Sequence, residues 1–283
     1  MKFQIVNPDK IIYPKPKVTK KEIIDYYNDV SEKMLPFLKN RLLAVQRFPD
    51  GINKGGFYQK NTPKYYPKWI KEKKRHQTNY TVCGDKKCLL YMVNQASIVF
   101  HSWLSKVNKP DYPDKIIFDL DPIDVDFDYV IKGALALKKI LEPELKTYIM
   151  TTGSKGFHVV VPIKAESNFN EVKPITQKIA QLIAQANPDK YTTELRKEKR
   201  QGKVFIDYHR NTESQLAVVP YSLRAIENAT IAMPIDWKDI KKIRPQDFTI
   251  KNYKNYNLNV WKDFFENVRS VKKLKEKVEK ISK

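Results

Sequence analysis

From Lys115 onward the chain switches repeatedly between two hydrophobic periods, and no other feature of the sequence restricts its fold so sharply. KIIFDLDP reads as a strand ended by Pro122, and DFDYVIKGALALKKILEPE places its apolar residues at helical spacing. TYIMTTGSKGFHVVVPI reads as two strands around a tight glycine-containing turn, and NFNEVKPITQKIAQLIAQANP as a second helix. KVFIDYHR and LAVVPYSLR are further strands. A chain ordered in this way forms a sheet with helices laid on it, so the class is α+β.

Ahead of that region, Thr19 and Glu22 in TKKEIIDYYNDVSEKMLPFLK have the spacing of a capping box. Ile23, Tyr27, Val30, Met34 and Leu38 then fall on one helical face. RLLAVQRF and FYQK, separated by PDGINKGG, predict a β-hairpin. YMVNQASIVFHSWLS is expected to be helical. The proline-marked NKPDYPD is expected to link an N-terminal α/β lobe, residues 1–110, to a second lobe, residues 111–283. WKDFFENVRSVKKLKEKVEKISK should be an amphipathic helix with a basic tail.

Lysines and arginines number 53 against 32 acids, a formal net charge of +21. Such an excess suits a polyanionic partner, with a lysine-rich proteome as the plain alternative. No apolar run approaches the roughly 20 residues that span a bilayer. The start, MKFQIVNPDK, lacks the apolar stretch of a secretion signal, so the expected location is the cytoplasm. Cys83 and Cys88 are too few for a disulfide framework, and with His76 they lack a fourth zinc ligand; free thiols are expected.

Against that positive background, Asp119, Asp121, Asp124, Asp126 and Asp128 crowd into one short stretch. Residues two apart in a strand share a face, so Asp119 and Asp121 project together while Phe118 and Leu120 turn to the core. Paired carboxylates repel and lose hydration, a cost that a divalent cation relieves. Asp207 in VFIDYHR offers a third. If its strand lies beside the first, the three can hold two Mg²⁺ or Mn²⁺ ions, the arrangement used for in-line nucleotidyl transfer. An isolated D-x-D is ordinarily a solvated strand end. Asp124, Asp126 and Asp128 precede or open a helix, where capping and the macrodipole account for them. A calcium loop fits poorly, because its sixth position would be Tyr129 and its twelfth Leu135.

In TTGSKGFH, Gly153 and Gly156 let backbone approach an anion, Ser154 and Lys155 supply donors and charge, and His158 follows on the strand. A surface hairpin turn is the default reading of such a sequence, and no Walker A loop occurs. Arg224 in PYSLR is a further candidate phosphate clamp.

The ordered set FDLDP, GSKGFH, VFIDYHRN and PYSLR closely resembles the polymerase domain of bacterial and archaeal DNA ligase D. These are the primase-polymerases of non-homologous end joining, in the archaeo-eukaryotic primase superfamily. NPDKIIYP, IIDYYNDV, QRFPDGINKGGFYQK and VNQASIVFHSWLSKVNKPDYPD look like the same family, so the likeness runs from Ile5 to Trp237. It implies a primase-like core of two β-sheet lobes flanked by helices, the catalytic lobe RRM-like. It assigns metal binding and catalysis to Asp119, Asp121 and Asp207, and the incoming nucleotide to His101, Ser154, Lys155, His158 and Arg224. By the same resemblance Lys10 and Lys20 take the 5′-phosphate of a recessed or gapped end, while Arg47, Phe57 and Tyr58 contact DNA, the two aromatics by stacking on template bases. Family members often carry a base where this chain has Gln46, so that contact is expected to be weaker.

The resemblance also implies Mn²⁺ or Mg²⁺ as cofactor, a preference for ribonucleotides, and action on gaps, overhangs and microhomology-paired ends. Its implied partners are DNA ends, NTPs, Ku and an ATP-dependent DNA ligase, in a nucleoid-associated setting. Ligation itself would need K-x-D-G, and the nearest approach is Phe48-Pro49-Asp50-Gly51, so no nick sealing is expected. Two other classes compete. A haloacid-dehalogenase-type phosphatase would use Asp119 as nucleophile and Asp121 as acid, with Thr152 or Ser154 on the phosphate, but Pro122 replaces its usual glycine. An inactive nucleic-acid binder explains the charge, yet not acids in a basic groove.

Overall fold

The computed structural model describes residues 4–142 and 144–281. Strands β1 (Ile11–Tyr13) and β2 (Val18–Thr19) lead into helix α1 (Lys20–Leu38), followed by β3 (Leu43–Arg47) and β4 (Phe57–Gln59). A hairpin of β5 (Lys71–Arg75) and β6 (Thr78–Val82), helix α2 (Lys86–Asn94) and strand β7 (Ser97–Trp103) come next. After β8 (Ser105–Lys106) and β9 (Lys109–Pro113) the chain runs through β10 (Lys115–Ile123), α3 (Phe127–Leu141), β11 (Tyr148–Thr151), β12 (Phe157–Pro162) and α4 (Phe169–Ala186). It ends with β13 (Tyr191–Thr192), β14 (Lys203–Asp207), β15 (Leu216–Val218), β16 (Pro234–Ile235) and α5 (Lys272–Ile281).

Two compact units result. One comprises the chain up to Trp103 with Leu216–Met233 and Gln246–Leu258; the other comprises Leu104–Gln215, Pro234–Pro245 and the chain from Asn259. A division at 110/111 therefore misses both the break after Trp103 and the two later returns to the first unit.

The first unit is built on the sheet β15-β7-β3-β4. Its long helix α1 starts as expected: Thr19 accepts from Glu22 N, and the Glu22 side chain returns to the Thr19 backbone, closing the capping box. Ile23, Tyr27, Val30, Met34 and Leu38 are all buried. Tyr27 Oη donates to Ile98 O at 2.5 Å, tying the helix to β7.

The second unit has a six-stranded sheet, β13-β14-β10-β12-β11-β16. The order of its four central strands is fourth-first-third-second, the β-α-β-β-α-β arrangement of an RRM-like fold. Every pairing in it is antiparallel except β13 with β14. Phe118, Leu120, Phe157, Val159 and Ile206 are buried on the face that carries the helices, where Phe127 at the start of α3 meets Phe157 edge-on. Asp126 caps α3 by accepting from Asp128 N, which accounts for both acids.

Four expectations need correction. Residues 97–103, expected to be helical, are strand β7: α2 stops at Asn94, Ala96 takes φ 63°, and the β-branched and aromatic run SIVFHSW pairs with β3 and β15. His101 thus lies on a strand. NKPDYPD is no linker, because 109–113 pair with Ser105 and Lys106 as a short hairpin whose edge position tolerates proline. Strand β10 does not end at Pro122. Its pairing with β12 stops at Leu120, and beyond that only β14 flanks it, which leaves room for a residue without an N–H. The final helix begins at Lys272 rather than near Trp261. Ahead of it Trp261 and Phe264 stack at 5.2 Å against Tyr148, and Asn267 turns its amide onto Asp263 O, competing with helical bonding. Residues 282 and 283 of that predicted helix, and Pro143 of the earlier one, lie outside the described residues.

Candidate active site

Three strands of the second unit bring the predicted carboxylates together. Asp119 lies at the middle of β10, opposite His158 on β12 and opposite Asp207 on β14. Directly opposed residues share a face, so the two acids and the imidazole project together, and Asp121, two residues on, joins them. Gly156 fixes the approach of β12: a Cβ there would lie 1.7 Å from Leu120 O, which only glycine permits. The turn before it is organised by Thr152, whose hydroxyl accepts from Ser154 N and Gly156 N, with Gly153 at φ 64°. Ser154 and Lys155 are thereby held at the end of the strand that carries His158. Asn211 secures the end of β14, bonding both N and O of Ile117 on β10 through its buried amide.

The electrostatics are unequal. His158 Nε2 lies 3.3 Å from Asp119 Oδ1, and Arg210 Nη2 lies 3.3 Å from Asp119 Oδ2. Burial opposes ionisation of Asp119, but these neighbours outweigh it and hold the carboxyl well below the usual range. For Asp121 the charges of His158 and Arg210 also favour ionisation but are outweighed. Burial first, and the Asp119 charge second, push it up to about 6. Burial likewise raises Asp207, with Arg210 opposing.

These residues fit a hard divalent cation by donor type, since the ligands offered are carboxylate oxygens. A further sign is that Asp119 Oδ1, buried and 3.3 Å from His158 Nε2, makes an ion-pair contact there but no hydrogen bond of good geometry. The set is nevertheless not closed: among the described residues no three His, Cys, Asp or Glu side chains gather tightly enough to hold a metal ion. The guanidinium of Arg210, also 3.3 Å from Asp207 Oδ2, bridges the cross-strand pair.

Arg210 was not foreseen from the sequence, although its place three residues after Asp207 was a usable signal. Arg200 was missed too. It is buried, donates to the carbonyls of Glu194 and Leu195, and lies 3.6 Å over the ring of Phe205, the residue paired with Asp121. Nothing distinguishes it in the basic run KRQGK.

The remaining predicted residues belong to the first unit. Lys10 and Lys20 are neighbours, joined by a backbone bond from Lys20 N to Lys10 O. Lys10 Nζ pairs with Asp50 at 2.8 Å, and the nearly buried Lys20 donates to Val6 O. Burial, then the charge of Lys10, lowers the pKa of Lys20. Arg47 bonds Gln95 O, Gln59 and Tyr65, and lies 5.5 Å over Phe57. Phe57 and Tyr58 are half exposed on the edge strand β4 but, being adjacent, leave it on opposite faces. Tyr58 turns toward His101, 5.8 Å away between ring centres. Arg224 N bonds Thr230 O, and its own carbonyl accepts from Tyr13. Cys83 and Cys88 are buried free thiols.

A family model described as LigD, primase-polymerase domain, matches residues 19–264. The chain belongs to this family. The chain has relatives within much longer proteins. It is 35% identical over 253 residues to the bifunctional non-homologous end joining protein LigD of Bacillus subtilis (strain 168), covering 88% of this chain and 41% of that protein. It is 30% identical over 247 residues to the multifunctional non-homologous end joining protein LigD of Mycolicibacterium smegmatis, covering 84% and 32%. The chain thus spans less than half the length of these curated relatives. Its fold matches the polymerase domain of Mycobacterium tuberculosis ligase D, solved in complex with DNA, with a TM-score of 0.83 and 26% identity over 97% of this chain and 98% of that one. The primase-like α+β core is therefore the fold. Among the described residues no helix is long and apolar enough to cross a membrane.

Proposed function

We propose that this chain is a template-dependent nucleotidyltransferase that extends primer 3′ ends and fills gaps during non-homologous end joining. The observation that carries the reading is the cross-strand opposition of Asp119 and Asp207, with Asp121 on the same face, in a chain of the LigD primase-polymerase family. Asp119, Asp121 and Asp207 would hold Mn²⁺ or Mg²⁺. Such ions, when bound, supply the charge that acidifies an attacking 3′-hydroxyl and offsets charge on the transferring phosphoryl group.

The chain's own residues do the rest. Ser154 and Lys155 on the β11–β12 turn, with His158 on β12, take the triphosphate of an incoming NTP through hydroxyl, ammonium and imidazole donors. His101 and Arg224, both residues of the first unit, have their assignment to the nucleotide from the family resemblance alone. Lys10 and Lys20 bind the 5′-phosphate across a gap, and Arg47, Phe57 and Tyr58 contact the template strand. A preference for ribonucleotides, and association with Ku and an ATP-dependent ligase at DNA ends in the nucleoid, complete the proposal.

The experiment is extension of a labelled primer on a gapped, 5′-phosphorylated duplex with Mn²⁺, with NTPs and dNTPs supplied in parallel, beside Asp119→Asn. Templated addition that disappears in the variant supports the reading, and the NTP-to-dNTP ratio tests the sugar preference. Duplex binding without any addition would leave an inactive DNA binder.

A further inference from the structure

Arg210 is not among the residues assigned above to metal, nucleotide or DNA, yet it links the carboxylates most directly. One planar fork reaches both: Nη2 lies 3.3 Å from Asp119 Oδ2 and Nε 3.3 Å from Asp207 Oδ2. The acceptors are nearly buried, at 7% and 13% side-chain exposure, whereas Arg210 is 33% exposed and has a way out to solvent. Asn211 pins the backbone beside it to Ile117, so a change in Arg210 can be confined to its side chain. A guanidinium keeps its charge at any working pH, and a divalent cation needs the same oxygens. Two cations at ion-pair distance from one carboxylate pair repel each other strongly where water is scarce.

We infer that Arg210 is a built-in competitor for the divalent-metal site. It neutralises Asp119 and Asp207 when no metal is bound, and a metal gains the pair only by displacing the guanidinium toward solvent. Metal loading is then an exchange of cations, weaker than the carboxylates alone would allow. This rests on the metal-binding reading of Asp119 and Asp207.

The test titrates Mn²⁺ into metal-free protein, without nucleotide or DNA, reading free Mn²⁺ by its electron paramagnetic resonance signal. Wild type, Arg210→Gln, Arg210→Lys and Asp119→Asn are compared, with the thermal midpoint of each metal-free protein recorded alongside. Arg210→Gln should bind Mn²⁺ about tenfold more tightly, as expected for removing one positive charge at this distance in a partly solvated site. It should also unfold at a lower temperature when metal-free and gain more from added Mn²⁺. Arg210→Lys, whose single ammonium cannot fork across both acids, should fall between, and serves if the glutamine variant does not fold. Unchanged or weaker Mn²⁺ binding by both variants, with wild-type binding intact and lost in Asp119→Asn, would overturn the role of Arg210 and leave the metal site standing. Equal binding by wild type and Asp119→Asn would overturn both.

Discussion

Asp119 and Asp207 face each other directly across β10 and β14 and share one guanidinium, that of Arg210. Opposed residues on antiparallel strands have Cβ atoms only about 5 Å apart, and like charges so placed destabilise a sheet unless a cation lies between them. A folded chain tolerates that arrangement most readily where a cation is part of its function. Asp207→Asn keeps the shape and can still accept the bond from His209 N, now 2.8 Å. It should therefore fold and melt near wild type, while primer extension falls about 100-fold or more, the usual cost of losing one preorganised charge at a reacting phosphate. Parallel circular-dichroism melts and extension rates check this; an undiminished rate would remove Asp207 from the reaction.

Asp121 gives the site a pH signature. Its pKa is raised from 3.8 to about 6, by burial and then by the Asp119 charge, so the folded state holds a proton that the unfolded state has lost. Stability contributed by that proton is fully present below about pH 4 and lost as pH rises toward 6. Asp207, also raised by burial, has the same sign. Asp119 is depressed, so its contribution is lost on the other side, as pH falls below the ordinary carboxylate range. Asp121→Asn should match wild type in urea unfolding near pH 4 and exceed it at pH 7 by up to about 3 kcal/mol, the equivalent of two pKa units. Parallel pH profiles for the two proteins would refute the assignment.

Much of this was legible because it obeys local rules. The capping box at Thr19, the hairpin of β3 and β4, and the pairing of Asp119 with Asp121 on one face all follow from spacing along a few residues. What failed depended on neighbours distant in sequence. Residues 97–103 look helical until β3 and β15 pair with them, and Trp261 is drawn out of a helix by Tyr148 and Ile149 O, more than a hundred residues away. Arg210 and Arg200 look like two more surface cations in a chain of charge +21, because only the folded sheet shows which acid or ring each one meets.

Gly156 makes the sheet geometry testable independently of chemistry. A methyl group there would collide with the carbonyl of Leu120, one residue from each of Asp119 and Asp121. Backbone cannot yield as a side-chain tip can, so Gly156→Ala should cost about 3 kcal/mol or more, at the upper end for overpacking. Gly84→Ala is the control, since a Cβ at that position meets nothing within 4 Å. Urea midpoints of the two variants should separate clearly, and a Gly156→Ala protein as stable as the control would mean that β12 lies farther from β10.

The two lysines predict a preference that can be moved in either direction. Lys20 is nearly buried beside Lys10, and Lys10 is paired with Asp50 in a salt bridge whose side chains are 36% and 73% exposed. A 5′-phosphate brings more negative charge than Asp50 and three oxygens, so it should displace that partner. Lys10→Ala with Lys20→Ala should erase the advantage of a 5′-phosphorylated gap over a hydroxyl-ended one. Asp50→Asn should widen that advantage, but only about two- to five-fold, because exposed ion pairs are weak and their loss releases little. The gain should shrink as salt rises from low to physiological, where exposed charges are screened within about 8 Å. Fluorescence anisotropy on the paired duplexes at two ionic strengths reads all three expectations. An Asp50→Asn protein that loses selectivity would show instead that Asp50 orients Lys10 for the phosphate.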